Sequence, residues 1–348
     1  MSALARYFMH EGCAVAGYDR TATPLTARLE AEGAIVHYED DLSLIPPQFL
    51  ERDTVVVYTP AVPADHGEMC YFRENGYRML KRSQMLGELS VGKFVMAVAG
   101  THGKTTTSTL VSWLNHAAAG EGSAFLGGVS KNFDSNLVLG EGRRLAVEAD
   151  EFDRSFLQLY PEIAVITSMD ADHLDIYESE EAYLESFRHY TSLIRPDGFL
   201  ILHTGLKMKP DTQEGVTTYT YGREDGDFHA ENIQIGNGEI TFDLVSPLGN
   251  IPNIRLGVPL SINIENGIAA MALAQIAGAT TEEILTGMAT FNGVGRRFDF
   301  HVKTDRIAYL SDYAHHPVEI RQSILSIKEL YKDKHIKAIF QPHLYTRT

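Results

Sequence analysis

The chain has 348 residues, 44% of them hydrophobic, which is more than one core usually organises, so two or three domains are expected. Its 30 basic and 46 acidic residues leave a formal charge of -16, and no basic cluster is dense enough to track a phosphate backbone, which argues against nucleic acid as the main partner. Cys13 and Cys70 build neither a disulfide framework nor a metal-binding pair, and no stretch nears the roughly 18 apolar residues of a membrane span, so a cytoplasmic protein in a reducing compartment, without membrane insertion, is expected.

The opening residues 1–8 read as a helix already under way, with no strand and no glycine turn before it. Apolar strand-like runs follow at 14–16, 34–36 and 54–59, separated by amphipathic stretches, which predicts a parallel α/β domain over residues 1–84 with an N-terminal edge missing. A second α/β region begins with the apolar run 94–99, a glycine-containing turn and a long Thr-rich helix over about 104–119. Further strands are predicted at 145–149, 163–167 and 199–203, with a helix over about 180–194. From 216 to about 254 short alternating runs broken by glycines predict a small antiparallel extension, and helices return at about 263–276 and 281–290. The third region, 294–348, offers a strand near 306–311, a helix over about 317–331 and a strand at 336–340, too little for an independent α/β layer, so this domain is expected to be incomplete.

The strongest chemical signal is Gly100-Thr101-His102-Gly103-Lys104-Thr105, set between a buried strand and a helix. Backbone N–H groups at a helix start cradle phosphate, a lysine there reaches the terminal phosphates, and a threonine hydroxyl can bind Mg2+, so ATP is the natural ligand. Val98 stands where the general phosphate-loop pattern has its first glycine, and Gly100 supplies the turn. An exposed phosphate-binding lysine contributes little to packing, so replacing Lys104 is expected to leave the fold largely intact. The acidic runs Glu148-Ala149-Asp150-Glu151 and Asp170-Ala171-Asp172-His173 follow predicted strand ends, and carboxyl ends of parallel strands converge on one ligand crevice.

Taken in order, these runs together with Gly293-Val294-Gly295-Arg296-Arg297-Phe298-Asp299, Asp312-Tyr313-Ala314-His315-His316-Pro317 and Gln341-Pro342-His343-Leu344-Tyr345-Thr346-Arg347-Thr348 resemble the muramyl ligases along essentially the whole chain, and are most similar to the alanine-adding branch. The resemblance implies a Rossmann-like N-terminal domain for a UDP-sugar, a central phosphate-loop ATPase domain (85–293) and a Rossmann-like C-terminal domain. It implies ATP and Mg2+ as cofactors, UDP-N-acetylmuramate and L-alanine as partners, and ligation through an acyl phosphate. By position it assigns the turn from Gly100 through Thr106 to nucleotide, Thr105 and Glu148 to one Mg2+, and His173 to a second metal site. Asn263 and Asn266 match an adenine-side element whose histidine is replaced here by Ile262. Arg296 matches an arginine directed at nucleotide phosphates; Asp312, His315 and Arg347 match positions near the muramyl carboxylate or the amino acid; Thr59, Ala61 and Asn136 match elements facing the UDP-sugar. Leu344 stands where many relatives have arginine, and Arg188 stands near the position where some relatives carry a carbamylated lysine.

Three other readings stay open at this stage: a recycling ligase that attaches an intact tripeptide to the same sugar nucleotide, a phosphate-loop ATPase or kinase without ligation, and a nucleotide-binding fragment without ligase activity. The family's first glycine turn would lie before Met1, so a chain truncated at both ends, retaining at most nucleotide binding, is the expectation.

Overall fold

The structure is a computed structural model that describes residues 1–348 except 121, 171–173, 178, 237, 305, 315–316 and 342–348. It divides into two compact units, Met1–Val91 and Gly92–Thr348.

In the first unit, helix α1 (Ser2–His10) buries Ala3 and Leu4. Strands β1 (Ala16–Tyr18) and β2 (Ile35–His37) pair in parallel, with Ala16 opposite Ile35, and α2 (Pro24–Ala31) makes the crossover between them. Thr23 caps α2: its hydroxyl accepts from the Thr26 N–H at 3.2 Å while Thr26 Oγ1 accepts from the Thr23 N–H at 2.9 Å, and Pro24 takes the first helical position, where no N–H is needed. A second parallel pair joins β3 (Val55–Tyr58) to β4 (Arg78–Lys81), with α3 (Gly67–Glu74) between them and α4 (Arg82–Ser90) after. The predicted parallel α/β character is present, as two separate two-stranded sheets.

The second unit is built on a seven-stranded sheet. Its strands are β5 (Phe94–Ala99), β6 (Ser123–Ser130), β7 (Ser135–Val138), β8 (Arg144–Glu148), β9 (Ile163–Ile166), β10 (Phe199–His203) and β11 (Thr217–Tyr221), in the spatial order β11-β10-β9-β5-β8-β6-β7. All neighbours are parallel except β6 and β7. Val95 to Ala99 are at most 1% exposed, which is why β5 reads as an unbroken apolar run: both faces of a central parallel strand are covered. Helix α5 (Lys104–Ala119) follows β5, with α6 (Leu174–Tyr177) and α7 (Glu180–Ser192) after β9. A three-stranded antiparallel sheet, β12 (His229–Gly236), β13 (Glu239–Val245) and β14 (Ile251–Arg255), forms the extension. Its expected first strand, β11, instead joins the parallel sheet beside β10, register Phe199 to Thr217. Helix α8 (Ile262–Ile276) is buried on nearly every side and packs on α5, as does α9 (Thr281–Thr290).

Strand order points to one edge of the sheet for a ligand. The chain leaves β5 toward β6, returns to β8 beside β5, then crosses to β9 on the other flank, so β5 is a switch point, and in open parallel sheets ligands bind outside the carboxyl ends of the strands at such points. Past this sheet lie an antiparallel hairpin, β15 (Asp299–Lys303) and β16 (Ala308–Ser311), and α10 (Pro317–Leu330). The predicted strand at 336–340 does not form: among the described residues it has no partner strand, and Ile339 and Phe340 stand exposed. An apolar run gains little as a strand without a ladder to join.

Candidate functional site at the carboxyl edge of the central sheet

Between β5 and α5 the chain turns through Gly100 at φ +128° and Gly103 at φ +80°, left-handed backbone that glycine adopts without strain. Space matters as much as angle at Gly100, where a Cβ would stand 2.2 Å from Thr167 Oγ1 and 2.8 Å from the Ser168 nitrogen. The exit of β9 holds the turn from beneath. Thr101 N–H donates to the Ser168 carbonyl at 3.1 Å, His102 N–H donates to Ser168 Oγ at 2.7 Å, and the Thr167 hydroxyl donates to the His102 carbonyl. The Thr101 hydroxyl donates to the Asp170 carbonyl at 2.7 Å and lies 2.7 Å from the Tyr183 hydroxyl. Helix α5 therefore begins on a fixed loop, its first N–H groups lacking carbonyl partners of their own helix.

Two carboxylates from the end of β8 converge on this start. Glu148 accepts from the Thr105 hydroxyl at 3.1 Å, from Gly127 N–H at 3.0 Å and, at 3.5 Å, from the Ser108 hydroxyl. Desolvation raises its carboxyl pKa, the Lys104 ammonium opposes that, and Asp150 adds to it. Glu151 is 1% exposed and accepts from Lys104 Nζ with both oxygens, at 2.6 and 2.8 Å. Burial raises its pKa too, again opposed by Lys104. The sequence leads one to expect an exposed lysine; Lys104 is instead a side chain 12% exposed in a closed ion pair. The correction follows from topology: residue 151 is remote in sequence, and only the β5–β8 pairing brings the two together.

Two family models match the chain, the Mur ligase middle domain over residues 98–274 and the Mur ligase family catalytic domain over residues 1–93. The chain is similar to the UDP-N-acetylmuramate–L-alanine ligase of Phocaeicola vulgatus, 61% identical over all of this chain and 76% of the relative. It is also similar to the enzyme of that name from Porphyromonas gingivalis, 49% identical over all of this chain and 77% of the relative. The chain belongs to the Mur ligase family. Among solved structures it is similar to the UDP-N-acetylmuramate–alanine ligase of Thermotoga maritima, with a TM-score of 0.84 and 26% identity over 99% of this chain and 78% of that one.

Of the positions singled out by resemblance to the Mur ligases, the structure brings Gly100, Thr101, His102, Gly103, Lys104, Thr105, Thr106 and Glu148 to one place. Asn263 and Asn266, in the first turns of α8, stand behind them. Asn266 donates to Asn263 Oδ1 at 3.1 Å and accepts from the Thr107 hydroxyl at 3.3 Å, while Asn263 donates to the Val258 carbonyl at 3.1 Å. Both are buried, and a Cβ on Gly103 would stand 2.7 Å from Asn266 Oδ1, so as placed they buttress the loop.

Arg296 is exposed at φ +62° with its N–H donating to Asp299 Oδ2 at 3.3 Å. Asp312 accepts from Phe298 N–H at 3.3 Å and from the Ser323 hydroxyl, tying the hairpin to α10. Asn136 lies on the edge strand β7, and Thr59 and Ala61 follow β3 in the first unit. Arg188 pairs with Glu185 at 2.9 Å on the surface of α7. His173, His315 and Arg347 lie outside the described residues, and among the described residues no group of three or more His, Cys, Asp or Glu is placed to hold a metal.

Several residues at the site were not singled out from sequence for the roles they have. Gly127 and Gly128 lie inside β6 where a Cβ would strike, respectively, the Glu148 carboxylate at 2.2 Å and Val294 at 2.7 Å. Paired glycines in a strand interior signal such close approach. Glu319 of α10 lies 3.4 Å from His102 Nδ1 and 3.9 Å from Arg297 Nη1, a long-range meeting that no local pattern announces.

Proposed function

We propose that the chain catalyses ATP-dependent ligation of L-alanine to the carboxylate of UDP-N-acetylmuramate through an acyl phosphate, giving ADP and phosphate, in the cytoplasmic assembly of peptidoglycan precursors. One observation carries the reading: a phosphate loop with Lys104, Thr105 and Glu148 at its mouth sits in a chain all of which matches 76% of an enzyme of that named activity. Among the described residues no helix is long and apolar enough to cross a membrane.

A carboxylate does not accept an amine directly, because its oxygen is a poor leaving group. Attack of the muramyl carboxylate on the ATP γ-phosphate solves this, and the amine of L-alanine then displaces phosphate. In this reading residues 1–84 bind the UDP-sugar with Thr59 and Ala61, residues 85–293 bind ATP and contribute Asn136 to the sugar nucleotide, and residues 294–348 begin the domain that brings Arg296 to the nucleotide phosphates. Lys104 compensates phosphate charge, and the loop from Gly100 to Thr106 orients the nucleotide. Asn263 and Asn266 support the nucleotide site. Asp312, His315 and Arg347 orient the muramyl carboxylate or the incoming amine.

Mg2+ fits the donors present. A carboxylate beside a threonine hydroxyl is the hard oxygen chemistry that this ion selects. Thr105 and Glu148 would hold one ion and His173 would lie at a second site. Bound there, Mg2+ would supply positive charge to the phosphate oxygens.

The test is phosphate release in the presence of ATP and UDP-N-acetylmuramate, with single amino acids and the L-Ala-D-Glu-diaminopimelate tripeptide added in turn. Release that depends on L-alanine supports the reading. Dependence on the tripeptide alone would assign the recycling reaction, and release without any acceptor would assign a simple ATPase.

A further inference from the structure

We propose that Glu151 is a positioning residue for the phosphate-loop lysine: it aims the Lys104 ammonium in the resting site and yields it to the ATP phosphates, so that it weakens ATP binding and speeds phosphoryl transfer. The inference rests on the reading of residues 100–105 as an ATP site.

The ammonium of Lys104 has three hydrogens. Two point at Glu151, with Nζ 2.6 and 2.8 Å from its oxygens, and the third has the Thr101 carbonyl at 3.4 Å. The protein therefore already satisfies the lysine that ATP needs, and a phosphate must take over part of this coordination. Glu151 cannot follow the ammonium outward or turn to water, since it is 1% exposed. Its backbone is anchored: the Tyr177 hydroxyl donates to the Glu151 carbonyl at 2.5 Å, Arg154 N–H donates to that carbonyl at 2.9 Å, and the Arg154 guanidinium lies 5.1 Å from the Tyr177 ring centre. The turn beyond is held by Asp153 and Arg154 at φ +52° and +54°, and by Phe156 N–H donating to the Asp150 carbonyl at 2.9 Å.

Such an anchored carboxylate has two consequences of opposite sign. Against a free, mobile lysine it restricts the ammonium to one direction along the loop, which favours the geometry of transfer. Against a phosphate it competes for the same charge, which weakens nucleotide binding in the ground state. A carboxylate that merely packed the loop would show neither split.

The experiment measures equilibrium binding of ATP, kcat and KM for ATP in the parent protein and in Glu151→Gln, Glu151→Asp and Lys104→Ala. Glu151→Gln is expected to bind ATP several-fold more tightly and to lose about ten-fold or more in kcat. Glu151→Asp, which keeps the charge on a shorter arm, should return the ATP affinity toward the parent value and recover part of kcat; it also serves if the glutamine variant folds poorly. Lys104→Ala should lose ATP affinity. Parent-like affinity in Lys104→Ala overturns the phosphate-site reading itself. Weakened affinity in Lys104→Ala, combined with unchanged affinity and kcat in Glu151→Gln, overturns only the positioning role. So does a glutamine variant that binds ATP more weakly.

Discussion

The backbone N–H of Gly127 donates to Glu148 Oε2 at 3.0 Å, and a Cβ on Gly127 would stand 2.2 Å from that same oxygen. One residue thus supplies the hydrogen bond that orients the carboxylate and the vacancy that admits it. Glu148 is held against Thr105 by this arrangement, with β6 and β8 running parallel at Phe125 and Val147 just before it.

The first prediction follows from that vacancy. Gly127→Ala pushes the Glu148 carboxylate aside, and a misplacement of about 1 Å at a reacting centre is enough for a loss on the order of 100-fold. Phosphate release titrated with Mg2+ would measure it. Saturation at the parent's Mg2+ concentration and rate would show that Glu148 has no role in binding the ion.

Lys104→Ala should abolish turnover and also destabilise the protein. Removing the ammonium leaves the Glu151 carboxylate buried without its partner, and breaking a buried pair on one side costs about 3–5 kcal/mol. The double substitution Lys104→Met with Glu151→Leu removes both charges and should regain most of that loss in urea denaturation. Equal stability of Lys104→Ala and parent would mean that the pair is far more solvated than its 12% and 1% exposures indicate.

These two cases mark what the sequence could and could not disclose. The turn from Gly100 to Lys104 was legible because its parts are contiguous: an apolar strand, glycines for left-handed backbone, then a helix. The Lys104–Glu151 pair spans 47 positions and exists only because β8 lies beside β5, so a local pattern could place the lysine without revealing its burial. Strand β4 escaped because its sequence Arg-Met-Leu-Lys has only two apolar residues, and β6 because glycines interrupt it. The run at 336–340 has strand composition without a neighbouring ladder, which composition cannot reveal.

Glu148→Gln should separate stability from function. Desolvation disfavours the charged form of Glu148, and with no cation present a neutral amide removes that penalty while its carbonyl can still accept from Gly127. The variant is expected to gain about 1 kcal/mol in the absence of Mg2+ and nucleotide, and to lose Mg2+-dependent turnover. Melting in chelator and phosphate release together check both halves. A variant less stable than the parent in chelator would contradict the assigned cause of the raised pKa.

The last prediction concerns pH and the support beneath Glu151. Tyr177 is 1% exposed, donates its hydroxyl to the Glu151 carbonyl at 2.5 Å, and is pushed up to about 12 by burial from an ordinary value of 10.0. Its folded-state pKa lies above the unfolded one, so the folded protein keeps a proton that the unfolded chain releases. The resulting contribution to stability is complete below pH 10 and is lost as pH rises toward 12, reaching about 2–3 kcal/mol. Tyr177→Phe forfeits the hydrogen bond, worth about 1 kcal/mol, but has no proton to release. Below pH 10 the parent should therefore be the more stable, and between pH 10 and 12 the difference should shrink and reverse sign. Tyr190 and Tyr221, whose pKa values burial also raises, are present in both proteins and cancel in the comparison. Urea denaturation of the two proteins at intervals across pH 9 to 12 reads the difference directly, and a constant gap would show that Tyr177 titrates alike folded and unfolded.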